Sequence, residues 1–242
     1  MSIVGAFANL LYPPACLLCR APLPDGDPVA GIFCDGCRHR MPRIDPPVCS
    51  RCGLGLRGAF DAQWLCSACR TTPLAFDMAR SPWWYDGPAQ EAIRQFKYSR
   101  RWRIGQHLAQ DMAAIARSSL PLDTVDAVLP IPRHWLKSRL AGFHPSAYLA
   151  RAVAQSLNKP YEPRALHQTR WTATQTRLRG RQRFHNVHRA FTATDALVAQ
   201  RSLLLVDDVL TSGATANACA RTLKEAGAQR VFLLTAARTP LR

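Results

Sequence analysis

Eight cysteines lie between positions 16 and 69 of this 242-residue chain, arranged as four Cys-x-x-Cys pairs. Cys16 and Cys19 are followed after 14 residues by Cys34 and Cys37, and Cys49 and Cys52 after 13 residues by Cys66 and Cys69. One unit is written twice. A Cys-x-x-Cys turn places two thiolates on the same side of a knuckle, and two knuckles complete a tetrahedral shell of four sulfurs. Two structural Zn2+ sites are therefore expected. Four protein ligands leave no position open for water, so such a metal folds its segment and does no chemistry. A disulfide framework requires an oxidising compartment, and no secretory signal precedes the pairs. A redox pair would occur once, beside a strand–helix unit. The ligands alone leave an iron–sulfur cluster open, while the long loops within each unit favour zinc.

After Thr71-Thr72-Pro73 the composition changes from cysteines and turn residues to alternating apolar segments. The chain is thus expected to divide into residues 1–72, an N-terminal helix with a double zinc ribbon, and residues 73–242, an α/β domain. Ile3, Val4, Phe7, Leu10 and Leu11 recur at helical spacing and predict a short amphipathic helix. The longest charge-free stretch, residues 1–19, is broken by Pro13 and Pro14 and falls short of a membrane span. A cytoplasmic location is expected. In the second part the patterning predicts strands at 81–85 and 124–129, and helices at 89–96, 104–117 and 146–157. A loop or hairpin is expected over 164–189.

The last 50 residues carry the sharpest local signal. Ser202-Leu203-Leu204-Leu205-Val206 is a continuous apolar run, as in a parallel strand buried on both faces. Asp207-Asp208 and a polar loop follow, then a predicted helix at 216–226 and a strand at 230–236. Strand, loop, helix and strand in one sheet make a right-handed crossover, whose loop lies where open α/β sheets bind ligands. Thr211, Ser212, Gly213, Ala214 and Thr215 bring hydroxyls and backbone N–H groups to a helix start, which suits a phosphate monoester. Two carboxylates would repel that phosphate and suit hydrogen-bond donors such as vicinal sugar hydroxyls. A ribose 5-phosphate cradle is expected, with Asp207 and Asp208 as acceptors. No P-loop lysine pattern occurs.

The net charge of +16 demands an anionic partner, and its location narrows the choice. Residues 133–189 hold 12 of the Lys and Arg residues against one acid, Glu162. A basic run by itself is often only a solvated face. Here Arg170, Trp171, Arg177, Arg179, Arg181, Arg183, Phe184 and His185 interleave cations with rings, a pattern that suits backbone tracking and base stacking on single-stranded nucleic acid. Cys219, the ninth cysteine, is expected to be a small core residue.

The segment from Val206 to Thr215 resembles the phosphoribosyl pyrophosphate (PRPP) motif of type I phosphoribosyltransferases. Together with the cysteine pairs, Tyr85-Asp86-Gly87-Pro88, Phe96-Lys97-Tyr98, Pro130-Ile131-Pro132, Gly142-Phe143, Gln175 and Asn186, nearly the whole chain resembles the ComF/GntX family of competence proteins. The resemblance implies a type I phosphoribosyltransferase-like parallel sheet flanked by helices, preceded by the cysteine-rich double zinc ribbon. It also implies PRPP or a related ribose phosphate at Asp207, Asp208 and 211–215. Pyrophosphate would lie at Pro130, Ile131, Pro132 and Arg133, and Mg2+ would arrive with PRPP. Residues 170–189 correspond to a loop over the active site in type I enzymes. Single-stranded DNA and competence-machinery proteins are the implied partners, in natural transformation. The alternative activity is PRPP-dependent glycosyl transfer to a nucleobase. Where the family reads Arg-Gly-Phe-Asn-Gln, this chain has Ala141-Gly142-Phe143-His144-Pro145, without the arginine and both amides.

Overall fold

The computed structural model describes residues 14–23, 32–56, 58, 64–133, 142–169 and 190–240. The expected N-terminal helix lies outside them. Two short helices mark the cysteine-rich segment, α1 (Asp35–His39) and α2 (Ser67–Thr71), each capped by the first cysteine of a knuckle, Cys34 or Cys66. The rest runs β1 (Met78–Arg80), β2 (Trp83–Trp84), α3 (Gly87–Ser99), α4 (Trp102–Ser119), β3 (Ala127–Pro130), α5 (Pro145–Leu157), β4 (Leu166–Gln168), β5 (Phe191–Ala193), α6 (Asp195–Val198), β6 (Ser202–Leu210), α7 (Ala214–Glu225) and β7 (Arg230–Arg238).

One parallel sheet carries the fold, in the order β1, β7, β6, β3, with β2 also paired to β7. The run 81–85, expected as one strand, pairs at Trp83 and Trp84 only, and Met78–Arg80 was not anticipated. Both pieces keep one register against β7. Pro82 between them has no N–H to give the ladder, and Ser81 Oγ meets Thr235 Oγ1 at 2.6 Å across the gap. Alternation sorts the core into two faces. Leu204 and Val206 of β6 and Phe232 and Leu234 of β7 pack under α3, α4 and α5, where Ile93, Phe96, Leu108, Met112 and Leu149 are buried. Leu203, Leu205, Val231 and Leu233 pack under α7 with Cys219, Ala220 and Leu223, so the ninth cysteine is a core residue.

Both sheet edges are covered, which removes the hazard of unpaired strand edges. Ile44 N–H donates to Pro82 O at 3.0 Å, Trp84 N–H to Pro42 O at 2.9 Å and Ala79 N–H to Arg51 O at 2.7 Å, so the cysteine-rich segment closes the β1/β2 side. On the β3 side, Val128 N–H donates to Pro160 O at 2.8 Å and Glu162 N–H to Val128 O at 3.0 Å. Only β4 falls within the stretch 164–189 expected as a loop or hairpin; its antiparallel partner β5 lies just past it, with Leu166 opposite Ala193. The connection between them, with Arg170, Trp171, Arg177, Arg179, Arg181 and Arg183, lies outside the described residues.

Strand β6 is longer than the apolar run predicted. It passes through Asp207 and Asp208 to Leu210, because Asp207, Val209 and Leu210 pair with Thr235, Ala237 and Arg238 of β7. The acids therefore sit on a paired strand and not in the loop. Similarly, β3 begins at Ala127, since Leu122–Thr124 is a 3-10 turn.

Candidate functional site

Pro130 is in register with Val206, and Ile131 N–H donates to Val206 O at 2.9 Å. The chain thus leaves β3 directly beside Asp207. Next to it α5 begins at Pro145, with His144 as its cap: Nδ1 of His144 accepts from Ala147 N–H at 3.2 Å, which leaves Nε2 to carry the proton. Burial, with Arg133 nearby, pulls the His144 pKa down, so the ring is neutral near pH 7.

These elements enclose a pocket of about 340 Å³ lined by Asp207, Asp208, Ile131, Pro132, Arg133, His144, Ser146, Lys97, Tyr98 and Phe143. The acid pair and residues 131–133, far apart in sequence, line the same pocket, while Pro130 stays in the sheet beside Val206. Each carboxylate is held. Asp207 Oδ1 accepts from Ser146 Oγ at 2.7 Å and from Asp208 N–H at 2.9 Å, and Asp208 Oδ1 lies 2.7 Å from Lys97 Nζ. Burial and the neighbouring Asp208 charge push the Asp207 pKa up to about 7 against the opposing hydrogen bonds.

A second, smaller cavity of about 40 Å³ adjoins Asp207 and is lined by Leu210, Thr211, Gly213, Ala214, Thr215 and Thr235. Gly213 caps α7 at φ 75°, a left-handed conformation that costs glycine little and lets the chain reverse from strand into helix. Thr211 and Ser212 are exposed, Thr215 is half-buried, and Ser212 Oγ accepts from Ala214 N–H at 3.4 Å. Helix α7 starts at Ala214, two residues before the predicted start, so Ala214 and Thr215 form its first turn. A small anion in this cavity would meet the start of a 12-residue helix and the positive end of its dipole.

Lys97, Ser146 and His144 join the pocket without any local sequence signal that marks them as site residues. Lys97 stood in Phe96-Lys97-Tyr98 without an assigned role. Ser146 carried no signal, because nothing local tells a pocket-facing serine from any other at a helix start.

The cysteines gather as two groups, Cys16, Cys19, Cys34 and Cys37, and Cys49, Cys52, Cys66 and Cys69, each with its sulfurs within 4.8 Å of one another. Cys19 and Cys34 sulfurs are 3.5 Å apart and Cys52 and Cys66 sulfurs 3.7 Å, far beyond a disulfide bond. Tetrahedral Zn2+ with Zn–S bonds of about 2.3 Å separates its sulfurs by about 3.8 Å, so the donor sets fit that ion. The knuckles are tied by backbone bonds, Cys16 N–H to Ala21 O at 2.8 Å and Cys49 N–H to Leu54 O at 2.7 Å. Four thiolates on Zn2+ carry a net charge of −2. Arg238, buried at the end of β7, donates to Cys52 O, and Arg80 Nη1 donates to Ser50 O at 3.1 Å, so two guanidiniums flank the second group. That group also shares a cavity of about 290 Å³ with Thr211, Ser212 and Gly213.

A family model of the double zinc ribbon domain matches residues 7–70. The DNA utilization protein YhgH of Escherichia coli strain K12 is 32% identical over 237 residues, which cover 95% of this chain and 99% of that protein. Competence protein F of Haemophilus influenzae is 25% identical over 204 residues, 82% of this chain and 87% of that protein. The amidophosphoribosyltransferase of Escherichia coli strain K12 is 32% identical over 141 residues, 58% of this chain and 25% of that protein.

Proposed function

The chain belongs to the family of DNA utilization protein YhgH and competence protein F, a double zinc ribbon followed by a phosphoribosyltransferase-like sheet, and from that premise we propose that it binds PRPP or a related ribose phosphate in support of handling incoming single-stranded DNA. The observation that carries this reading is the acid pair on β6, flanked on one side by the 211–215 turn and on the other by residues 130–133. The 5-phosphate takes the small cavity and the sugar hydroxyls donate to Asp207 and Asp208. The diphosphate lies toward Pro130, Ile131, Pro132 and Arg133. Asp208 is ion-paired and Asp207 hydrogen-bonded, so Mg2+ is held mainly by ligand oxygens. The two zinc sites are structural and serve as a scaffold or protein-docking module. In this reading the protein works in the cytoplasm. Among the described residues no helix is long and apolar enough to cross a membrane.

A second reading is transfer of the phosphoribosyl group to a nucleobase. Tyr98 and Phe143 favour it, since they bring rings to the pocket holding the acid pair. In such a transfer diphosphate leaves from C1 and positive charge develops on the sugar, which fixed carboxylates stabilise. Titration calorimetry of the full chain with PRPP and Mg2+ tests the first reading. Binding by the wild type, lost when Asp207→Asn and Asp208→Asn are combined, supports it; no heat from the wild type overturns it. Diphosphate release with a panel of bases tests the second.

A further inference from the structure

A cation reaches the acid pair from outside the 130–133 and 206–215 segments. Lys97 stands near the end of α3, one turn beyond Ile93 and at the edge of the face that Ala92, Ile93 and Phe96 bury in the core. Its Nζ lies 2.7 Å from Asp208 Oδ1, with side chains 24% and 15% exposed. Burial by itself would lower the Lys97 pKa, yet the charges of Asp208 and Asp207 and the hydrogen bond hold it above its ordinary value, so it remains a cation. Three nitrogen donors from three elements therefore line one pocket: Lys97 from α3, Arg133 after β3, and His144 ahead of α5.

We propose that Lys97 is an anion-binding residue of this pocket, and that its ammonium passes from Asp208 to the diphosphate end of the ligand. This rests on the ribose-phosphate reading above. An ammonium that only balanced Asp208 could sit anywhere around that carboxylate. Lys97 instead lines the pocket alongside Arg133, so one group of charged donors faces the position of the diphosphate. Its release also frees Asp208 to accept from a sugar hydroxyl, which couples the two halves of the ligand.

The test is titration calorimetry of the full chain with inorganic pyrophosphate and Mg2+ and, separately, with ribose 5-phosphate. Losing one charge-assisted hydrogen bond should weaken pyrophosphate binding by about tenfold or more in Lys97→Met, and leave ribose 5-phosphate within about twofold. Lys97→Arg retains most of the pyrophosphate affinity, and Arg94→Met, exposed on the same helix, behaves as wild type. In the wild type, amine acetylation followed by mass spectrometry should show pyrophosphate, and not ribose 5-phosphate, protecting Lys97. Unchanged pyrophosphate binding in Lys97→Met, an equal loss of both ligands, or no protection overturns the proposal. A wild type that binds ribose 5-phosphate but not pyrophosphate overturns it and leaves the ribose-phosphate reading standing. The reverse pattern overturns that reading and leaves the Lys97 assignment.

Discussion

Ser146, in the first turn of α5, donates its hydroxyl to Asp207 Oδ1 at 2.7 Å and so ties that helix to the acid-bearing strand. Burial and the Asp208 charge raise the Asp207 pKa from 3.8 to about 7, and the Ser146 bond, which favours the ionised form, opposes them. For an acid raised in the folded state, the associated stability is complete below the unfolded pKa and is lost as pH rises through the folded one. The window runs from near 3.8 to about 7. Asp207→Asn, a neutral mimic of the protonated side chain, should gain on the wild type in urea midpoint between pH 4 and pH 7 and hold that gain above it. Ser146→Ala should move the Asp207 midpoint still higher, read by carboxyl carbon NMR; a downward shift contradicts the geometry.

Gly53 pins the second cysteine group to the sheet. Its φ is +67°, and a Cβ there would stand 2.5 Å from Ala79 O, a backbone atom that cannot swing aside. Gly53→Ala combines left-handed strain with this clash and should cost about 1–3 kcal/mol, seen as a lower Tm. Because Ala79 N–H also donates to Arg51 O in the same knuckle, the variant should release one zinc faster while the other is unaffected.

Local periodicity and spacing made much of this molecule legible. The cysteine pairs announced both sulfur groups, and the apolar run into Asp207-Asp208 announced the central strand and the turn after it. What local reading missed was set by long-range pairing. The extension of β6 to Leu210 depends on the β7 partners 28 residues on, and neither Asp207 nor Asp208 looks like a strand residue by itself. Met78–Arg80 is a strand only because Phe232, Leu233 and Leu234 lie beside it. Lys97 joins the site because α3 crosses the end of the sheet, a fact that no short window contains.

The two zinc sites should release metal at different rates. Cys49, Cys52, Cys66 and Cys69 are all buried, whereas Cys19 is exposed and Cys34 half-buried in the first group. With a chelator and a colorimetric zinc indicator, two Zn2+ per chain should appear in two phases. Cys19→Ser should abolish the fast phase and Cys49→Ser the slow one. Because Arg238 and Arg80 bond the backbone of the second group, Cys49→Ser should also lower Tm further than Cys19→Ser does.

Under the proposed role in handling single-stranded DNA, the basic stretch and its aromatics should make separable contributions to binding. Each phosphate neutralised on a single strand adds about 0.7 to the slope of log affinity against log salt, so replacing Arg179, Arg181 and Arg183 with Ala should flatten that slope by about 2. Affinity should fall most at low salt. Trp171→Ala removes a stacking surface and no charge, so it should cost about 1–3 kcal/mol at every salt concentration and leave the slope unchanged. Fluorescence anisotropy of a labelled oligonucleotide over a salt series reads both quantities. A slope unaltered by the triple substitution would assign the polyanion contact to other residues. No oligonucleotide binding by the wild type at low salt would remove the nucleic-acid role from this stretch.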